Sequence, residues 1–171
     1  MTKPKSKKPN PRMPQRKPPK PHSMYTNLHS GVLPQLREDG LQFVFHPRDD
    51  DENMENEHET YIMGCFVCRN EKCRQQDWPS KKIFTVIRMY AGQRYNARVY
   101  HQRCRSCNTL SRPDLDVESY VDRVVYRLRK WSGIHVPESH RQWKDTREPH
   151  KKELCEGCRA GRCEAGREGP K

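Results

Sequence analysis

Apolar residues are scarce in this chain. Of 171 residues only 32% are hydrophobic and 8% aromatic, and the mean hydropathy is −1.22. A soluble domain usually carries roughly 45–50% apolar residues, so one large conventional core cannot run through the whole chain. No run approaches the ~18 apolar residues that cross a bilayer, which excludes a membrane span. The N-terminus lacks an apolar h-region, so a secretory signal of the usual kind is not expected and the reading is intracellular, cytoplasmic or nuclear. Acid is missing from residues 1–22, where Lys3, Lys5, Lys7, Lys8, Arg12, Arg16, Lys17 and Lys20 supply +8 of the net +12 among seven prolines. Such a segment cannot offset its ordering entropy by burial, so residues 1–23 read as a disordered tail with polyproline character. Lys5-Ser6-Lys7-Lys8-Pro9 looks like a short basic import signal, and a solvated tail without a partner is the alternative.

Other absences narrow the chemistry. Residues 49–59 hold seven carboxylates, but Gly is missing from positions 47–60, so no EF-hand loop is present and a solvated acidic loop is expected. There is no P-loop, no nucleophile elbow and no His-x-Glu paired with a Cys-x2-Cys as in deaminases, which argues against an enzyme.

What the chain does have is eight cysteines in three clusters: Cys65, Cys68 and Cys73; Cys104 and Cys107; Cys155, Cys158 and Cys163. Without an export signal, such spacing points to metal rather than disulfides. Structural zinc takes four Cys or His ligands in a closed tetrahedron, and it can replace much of a missing core by coupling binding to folding.

The pattern predicts an α+β domain. Leu28, Val32, Leu33 and Leu36 suggest a short helix, and Leu41, Phe43 and Phe45 a short strand. The runs Lys82–Tyr90 and Tyr95–His101 are β-branched and aromatic, and Ala91-Gly92-Gln93-Arg94 between them suits a hairpin. A two-residue type II′ turn there would set Tyr90 opposite Tyr95. Phe84, Val86 and Val99 would then share one face, and Ile83, Ile87, Arg98 and Tyr100 the other. A helix follows, with Asp116 as N-cap, a stripe from Val117 to Trp131 and Gly133 as the stop; it should pack on the hairpin. The organisation is thus a tail (1–23), a short extension with the acidic loop (24–60), a zinc-binding domain (61–165) built on a zinc-ribbon-like hairpin, and a terminal tail (166–171). Residues 137–150 read as a polar linker.

A hairpin delivers two ligand pairs, one before its first strand and one after its second. The second pair is Cys104 and Cys107. The first is open, because Cys65-x2-Cys68 and Cys68-x4-Cys73 both have accepted spacings. Cys155, Cys158 and Cys163 need a fourth ligand, and His150 is close enough to supply it. Two zinc ions are therefore expected. A local division gives Cys68, Cys73, Cys104 and Cys107 to one ion and His150, Cys155, Cys158 and Cys163 to the other. A cross-braced division would exchange pairs. His101, three residues before Cys104, reads as a satisfied sheet histidine.

The chain resembles the three-CxxC zinc-finger family, which includes receptor-transporting proteins, zygote arrest proteins and many fungal proteins. The likeness rests on Phe66-Val-Cys68, Trp78-x-Ser80, Tyr95-Asn-Ala-Arg-Val-Tyr-His-Gln-Arg-Cys104-x2-Cys107, Trp131 and His150-x4-Cys155-Glu-Gly-Cys158-x4-Cys163. It spans roughly residues 41–163 and is strongest to the fungal branch. The family's aromatic-x-Cys pattern implies Cys68 as first ligand, with Cys73 as partner and Cys65 spare, although the four-residue gap departs from the family's name. The resemblance also implies RNA binding, as in zygote arrest proteins, or a soluble protein-interaction and trafficking role, as in receptor-transporting proteins. From the residues themselves, Lys81, Lys82, Arg88, Arg94, Arg98, Arg103 and Arg105 lie around the knuckles, with Tyr90, Tyr95 and Tyr100 among them. Cations meet phosphates and exposed rings stack on unpaired bases, so RNA or another nucleic acid is the expected partner.

Overall fold

A computed structural model describes residues 19–137 and 150–163. The predicted tail up to residue 18, the linker between 138 and 149, and residues 164–171 lie outside the described residues. In chain order the elements are β1 (His22–Ser23), α1 (His29–Arg37), β2 (Val44–Phe45), β3 (Met54–Val67), β4 (Asp77–Tyr90) and β5 (Arg94–Tyr100). There follow β6 (Gln102–Arg103), β7 (Leu110–Ser111), β8 (Pro113–Leu115), α2 (Val117–Trp131) and α3 (Glu156–Arg159). The main sheet runs β1-β5-β4-β3-β8 with β2 added in parallel to the start of β5, while β6 and β7 form a separate small ladder. β3 crosses the 60/61 boundary as one strand, so the residues expected to form an extension supply sheet and helix to the same body.

The hairpin is present, but its turn has three residues instead of two. Tyr90 pairs with Arg94 and Met89 with Tyr95. Gly92 (φ 75°) and Gln93 (φ 53°) both adopt left-handed backbone, and the extra residue slips the second strand by one. Because side chains alternate with period two, a one-residue slip moves the whole strand to the other face. Tyr95, Ala97 and Val99 therefore join Ile83 and Ile87, whereas Arg98 and Tyr100 join Phe84 and Val86.

Helices cover the first of these faces. Asp116 Oδ1 accepts a 2.8 Å hydrogen bond from Ser119 N and starts α2, and Gly133 (φ 77°) follows its end. The stripe Tyr120, Val121, Val124, Val125 and Leu128 is buried with Ile62, Ile87 and Ala97. α1 contributes Val32 and Leu36 to the same core, and a Cβ on Gly31 would lie 3.0 Å from Val121 Cγ2, so the two helices approach closely there.

Among the described residues no helix pair covers the second face, and at the hairpin end charge covers it. Arg88 is wholly buried; its Nε donates to Asn96 Oδ1 at 2.9 Å, Nη1 to Asp51 Oδ1 at 2.8 Å and Nη2 to Asp49 Oδ1 at 2.9 Å. Arg98 donates to the same two aspartates at 2.9 and 3.0 Å. The loop expected to be solvated is thus a clamp, and Arg88 and Arg98, expected to meet nucleic acid, are buried and neutralised. Tyr90, Tyr95 and Tyr100 are at most 3% exposed, so none is free to stack on a base. Desolvation opposes ionisation of Asp49, but His22, Arg88 and Arg98 outweigh it and hold its carboxyl well below the usual carboxylate range. The resulting stability is present above the ordinary carboxylate pKa and is lost as pH falls through the lowered value.

Removing one member of a buried pair leaves the others uncompensated. Arg88→Met should lower the unfolding free energy by about 3 kcal/mol, whereas Arg94→Gln, at the exposed turn, should stay within about 0.5 kcal/mol. Denaturant titration of both zinc-loaded variants checks this.

Candidate metal centres

Two groups of four donors form, and each has its donor atoms within 4.8 Å of one another: Cys68, Cys73, Cys104 and Cys107, and His150, Cys155, Cys158 and Cys163. The first sits where β4 begins and β5 has just ended. Cys68 N donates to Gln76 O and Cys73 N to Asn70 O, both at 2.8 Å, which folds the first loop back on itself. The second loop is closed by Cys104 N to Thr109 O at 2.9 Å and Asn108 N to Cys104 O at 2.8 Å, with Asn108 at φ 59°. Sγ–Sγ distances are 3.5 Å for Cys68–Cys107 and 3.7 Å for Cys73–Cys104. A disulfide needs roughly 2.05 Å, and all eight cysteines are free. A tetrahedron with zinc–sulfur bonds of about 2.3 Å has edges of ~3.8 Å, so the spacing fits a metal.

The second quartet is built on α3. Cys155, just before the helix, and Cys158 within it face His150 and Cys163; His150 Nε2 lies 3.2 Å from Cys158 Sγ and 3.7 Å from Cys163 Sγ. An edge between nitrogen and sulfur in a zinc tetrahedron is ~3.5 Å. The quartet docks on the second face of the sheet, covering Phe84, Val86 and Tyr100. Glu156 N donates to His101 O at 3.1 Å, Arg103 Nε to Glu156 Oε1 at 2.6 Å, and Arg162 pairs with Glu57. The approach is so close that a Cβ on Gly157 would stand 2.3 Å from Phe84 Cδ1.

Backbone hydrogen bonds from Asn70, Gln75, Thr109 and Cys158 favour the thiolates of Cys68, Cys73, Cys107 and Cys155, respectively, but of these only Cys107 ends below the ordinary thiol value. Desolvation and neighbouring thiols outweigh the amides at Cys68 and Cys73, and at Cys155 the bond with Cys163 and burial push the thiol up. The Thr109 hydroxyl, 3.2 Å from Cys107 Sγ, is placed to donate to its thiolate and, with the Thr109 amide, brings it down to about 6. Hydrogen bonding from Cys155, with further help from His150 and Tyr61, holds Cys163 at about 3. Like thiols cannot all ionise without a cation: Cys73 is pushed up to about 12 by desolvation and its thiol neighbours, despite the Gln75 amide. A divalent ion removes that conflict.

The donor sets are those of the local division. Cys65 lies in β3 outside both, and His101 is buried with Nε2 2.9 Å from Ser23 Oγ. Burial next to Arg112 and His22 pushes His101 down to about 4, which keeps it neutral. Of the residues expected to bind nucleic acid, Lys81, Lys82 and Arg105 are exposed at the end carrying the first quartet. Arg94 is exposed at the hairpin turn, about 25 Å away at 3.3 Å per residue. Arg103 is half-buried on Glu156, and Arg88 and Arg98 are internal. The seven therefore do not form one patch. Thr109 and Tyr61, whose hydroxyl lies 3.4 Å from Cys163 Sγ, were not anticipated. A hydroxyl two residues beyond a knuckle is readable in sequence, but Tyr61 is far from Cys163 along the chain.

A two-strand ladder with paired cysteine loops at its end defines a zinc ribbon. A family model for the 3CxxC zinc ribbon, described as a zinc-binding domain, matches residues 61–161, and the chain belongs to that family. No curated protein and no solved structure matches it. The two quartets fit two zinc ions, whose role in closed four-ligand sites is to fix the chain.

Elemental analysis should find two zincs per chain. Cys73→Ser should leave one and Cys65→Ser two, and chelation should abolish the near-ultraviolet dichroism of the sheet's aromatic residues. Gly157→Ala should lower stability by about 1–3 kcal/mol through overpacking against Phe84, read from thermal melts of protein with zinc content measured alongside.

Proposed function

We propose that this zinc ribbon is a non-catalytic, intracellular module that binds RNA or another nucleic acid through a basic rim around its first zinc site. The observation that carries the reading is the set of exposed cations at that end: Arg69, Lys72, Arg74, Lys81, Lys82 and Arg105. Among the described residues none of the six is ion-paired, whereas Arg88, Arg98 and Arg103 are engaged by acids. Glu71 and Asp77 are the carboxylates interspersed with them. Unpaired cations around a rigid metal knuckle are available to phosphates, and binding of this kind releases counterions. Four protein donors for each ion leave no position for a reacting water, which supports a non-catalytic role. No helix among the described residues is long and apolar enough to cross a membrane.

The test is fluorescence anisotropy with a labelled single-stranded RNA across a salt series. The K81Q/K82Q/R105Q variant should flatten the slope of log K against log salt by about 2–3. Absence of binding by the wild-type chain at about 50 mM salt, where phosphate contacts are strongest, would reject the reading.

A further inference from the structure

A second group of cations lies on the flank of α2 next to β3. At 100° per residue, Arg123, Arg127 and Lys130 occupy an arc of roughly 60°, whereas the nearby helix carboxylates Glu118 and Asp122 stand about 100° or more from Arg123. β3 brings His58 to this flank, and Arg127 Nη2 lies 2.6 Å from His58 Nε2. That contact requires an imidazole nitrogen acting as acceptor, so His58 is neutral. Burial, with the charges of Arg127, Arg123 and Lys130, pushes it down to about 4. Arg127 Nε is buried with no hydrogen-bond partner among the described residues, and burial lowers the pKa of the guanidinium itself.

No carboxylate reaches the flank from β3. Asn56, His58, Thr60 and Ile62 point to the helical face, opposite Met89, Ile87, Thr85 and Ile83. Glu57 and Glu59 alternate to the other face, where both lie against Arg162. The contrast with the hairpin end is informative. There, two buried arginines are matched by two aspartates; here, a half-buried arginine rests on a neutral imidazole and keeps an unused donor. A half-buried arginine whose Nε has no hydrogen-bond partner among the described residues is stabilised by an anion.

Two rings specify what kind of anion. Lys130 Nζ lies 5.0 Å from the Tyr126 ring centroid, and Arg127 Cζ lies 5.9 Å from the centroids of both Tyr126 and Trp131. Neither ring is fully buried. Cations bordered by accessible rings suit a chain of phosphates carrying unpaired bases. We propose that this α2–β3 flank, formed by His58, Arg127 and Lys130 with Tyr126 and Trp131, binds the phosphodiester backbone of a single-stranded nucleic acid and stacks its bases. The site rests on the nucleic-acid reading given above and adds a second surface to it.

The experiment uses the full zinc-loaded chain, a labelled mixed-sequence single-stranded RNA and anisotropy over the same salt series. R127Q removes the half-buried donor; K130E changes an exposed position and keeps the test valid if R127Q perturbs packing. R37Q on α1 matches the charge change of R127Q away from the flank. Two zincs and an unchanged thermal melt are required of each variant. The expected result is an affinity loss of about tenfold for R127Q and K130E and a salt slope lower by about 1 for R127Q, with R37Q within about twofold of wild type. If both flank variants bind like R37Q while K81Q/K82Q/R105Q is impaired, the flank site is wrong and the basic-rim reading stands. If the wild-type chain does not bind RNA at all, both fall.

Discussion

Convergence of thiolates on a shared cation is the constraint on which the rest of this structure depends. Without a cation, four thiols within 4.8 Å cannot all ionise, and the opposed pKa values of Cys73 and Cys107 express that conflict. With a divalent ion, the same crowding becomes the force that closes the loops between β3 and β4 and after β5. The ladder of β4 and β5 then has both ends fixed, one by the turn at Gly92 and Gln93 and the other by metal. A sequence with 32% hydrophobic residues can fold this way because part of the ordering entropy is offset by coordination rather than by buried area.

The two faces of the sheet solve the shortage differently. One is conventional: α1 and α2 bury leucine, valine and aromatic side chains on it. The other has too few apolar residues for a second helical layer. At the hairpin end it is covered by a salt-bridged clamp of Asp49, Asp51, Arg88 and Arg98. At the opposite end the second zinc quartet covers it, with Gly157 seated directly on Phe84. Neither device requires much hydrophobic surface, and both demand exact partners, because a buried charge or thiolate without its counterpart is costly.

This division explains what could be read from the sequence. Spacing grouped the cysteines into three clusters, since two-residue and four-residue gaps are local geometry, but it left the first pair open; the family resemblance, through Phe66-x-Cys68, implied Cys68 with Cys73 and left Cys65 spare. The stripe of α2 and its Asp116 cap are equally local. The hairpin register was not legible, because it turned on Gln93 adopting a left-handed backbone that glycine normally supplies. That one residue sent Arg98 and Tyr100 to the face of Phe84 and left Val99 with Ile87. The roles of Arg88 and Arg98 followed from the same long-range fact. In sequence they are basic residues in a basic region, and only the pairing of distant segments shows Asp49 and Asp51 lying over them.

Charge counting therefore misleads in this protein unless each charge is first assigned a partner. The net +12 describes neither the sheet nor its surfaces, because Arg88 and Arg98, central to the sheet, are neutralised internally, whereas Lys81, Lys82 and Arg105 are exposed and not ion-paired among the described residues. Function, on this reasoning, belongs to the unmatched groups. Arg88 and Arg98 hold the acidic segment to the sheet, and their place in the chain is explained by folding alone. Arg127 is different: it is partly withdrawn from water, rests on a neutral His58 and has a buried donor without a partner among the described residues. Folding does not account for keeping a cation in that state when an acidic side chain at Thr60 or Asn56 would have matched it. A ligand that brings its own negative charge does account for it.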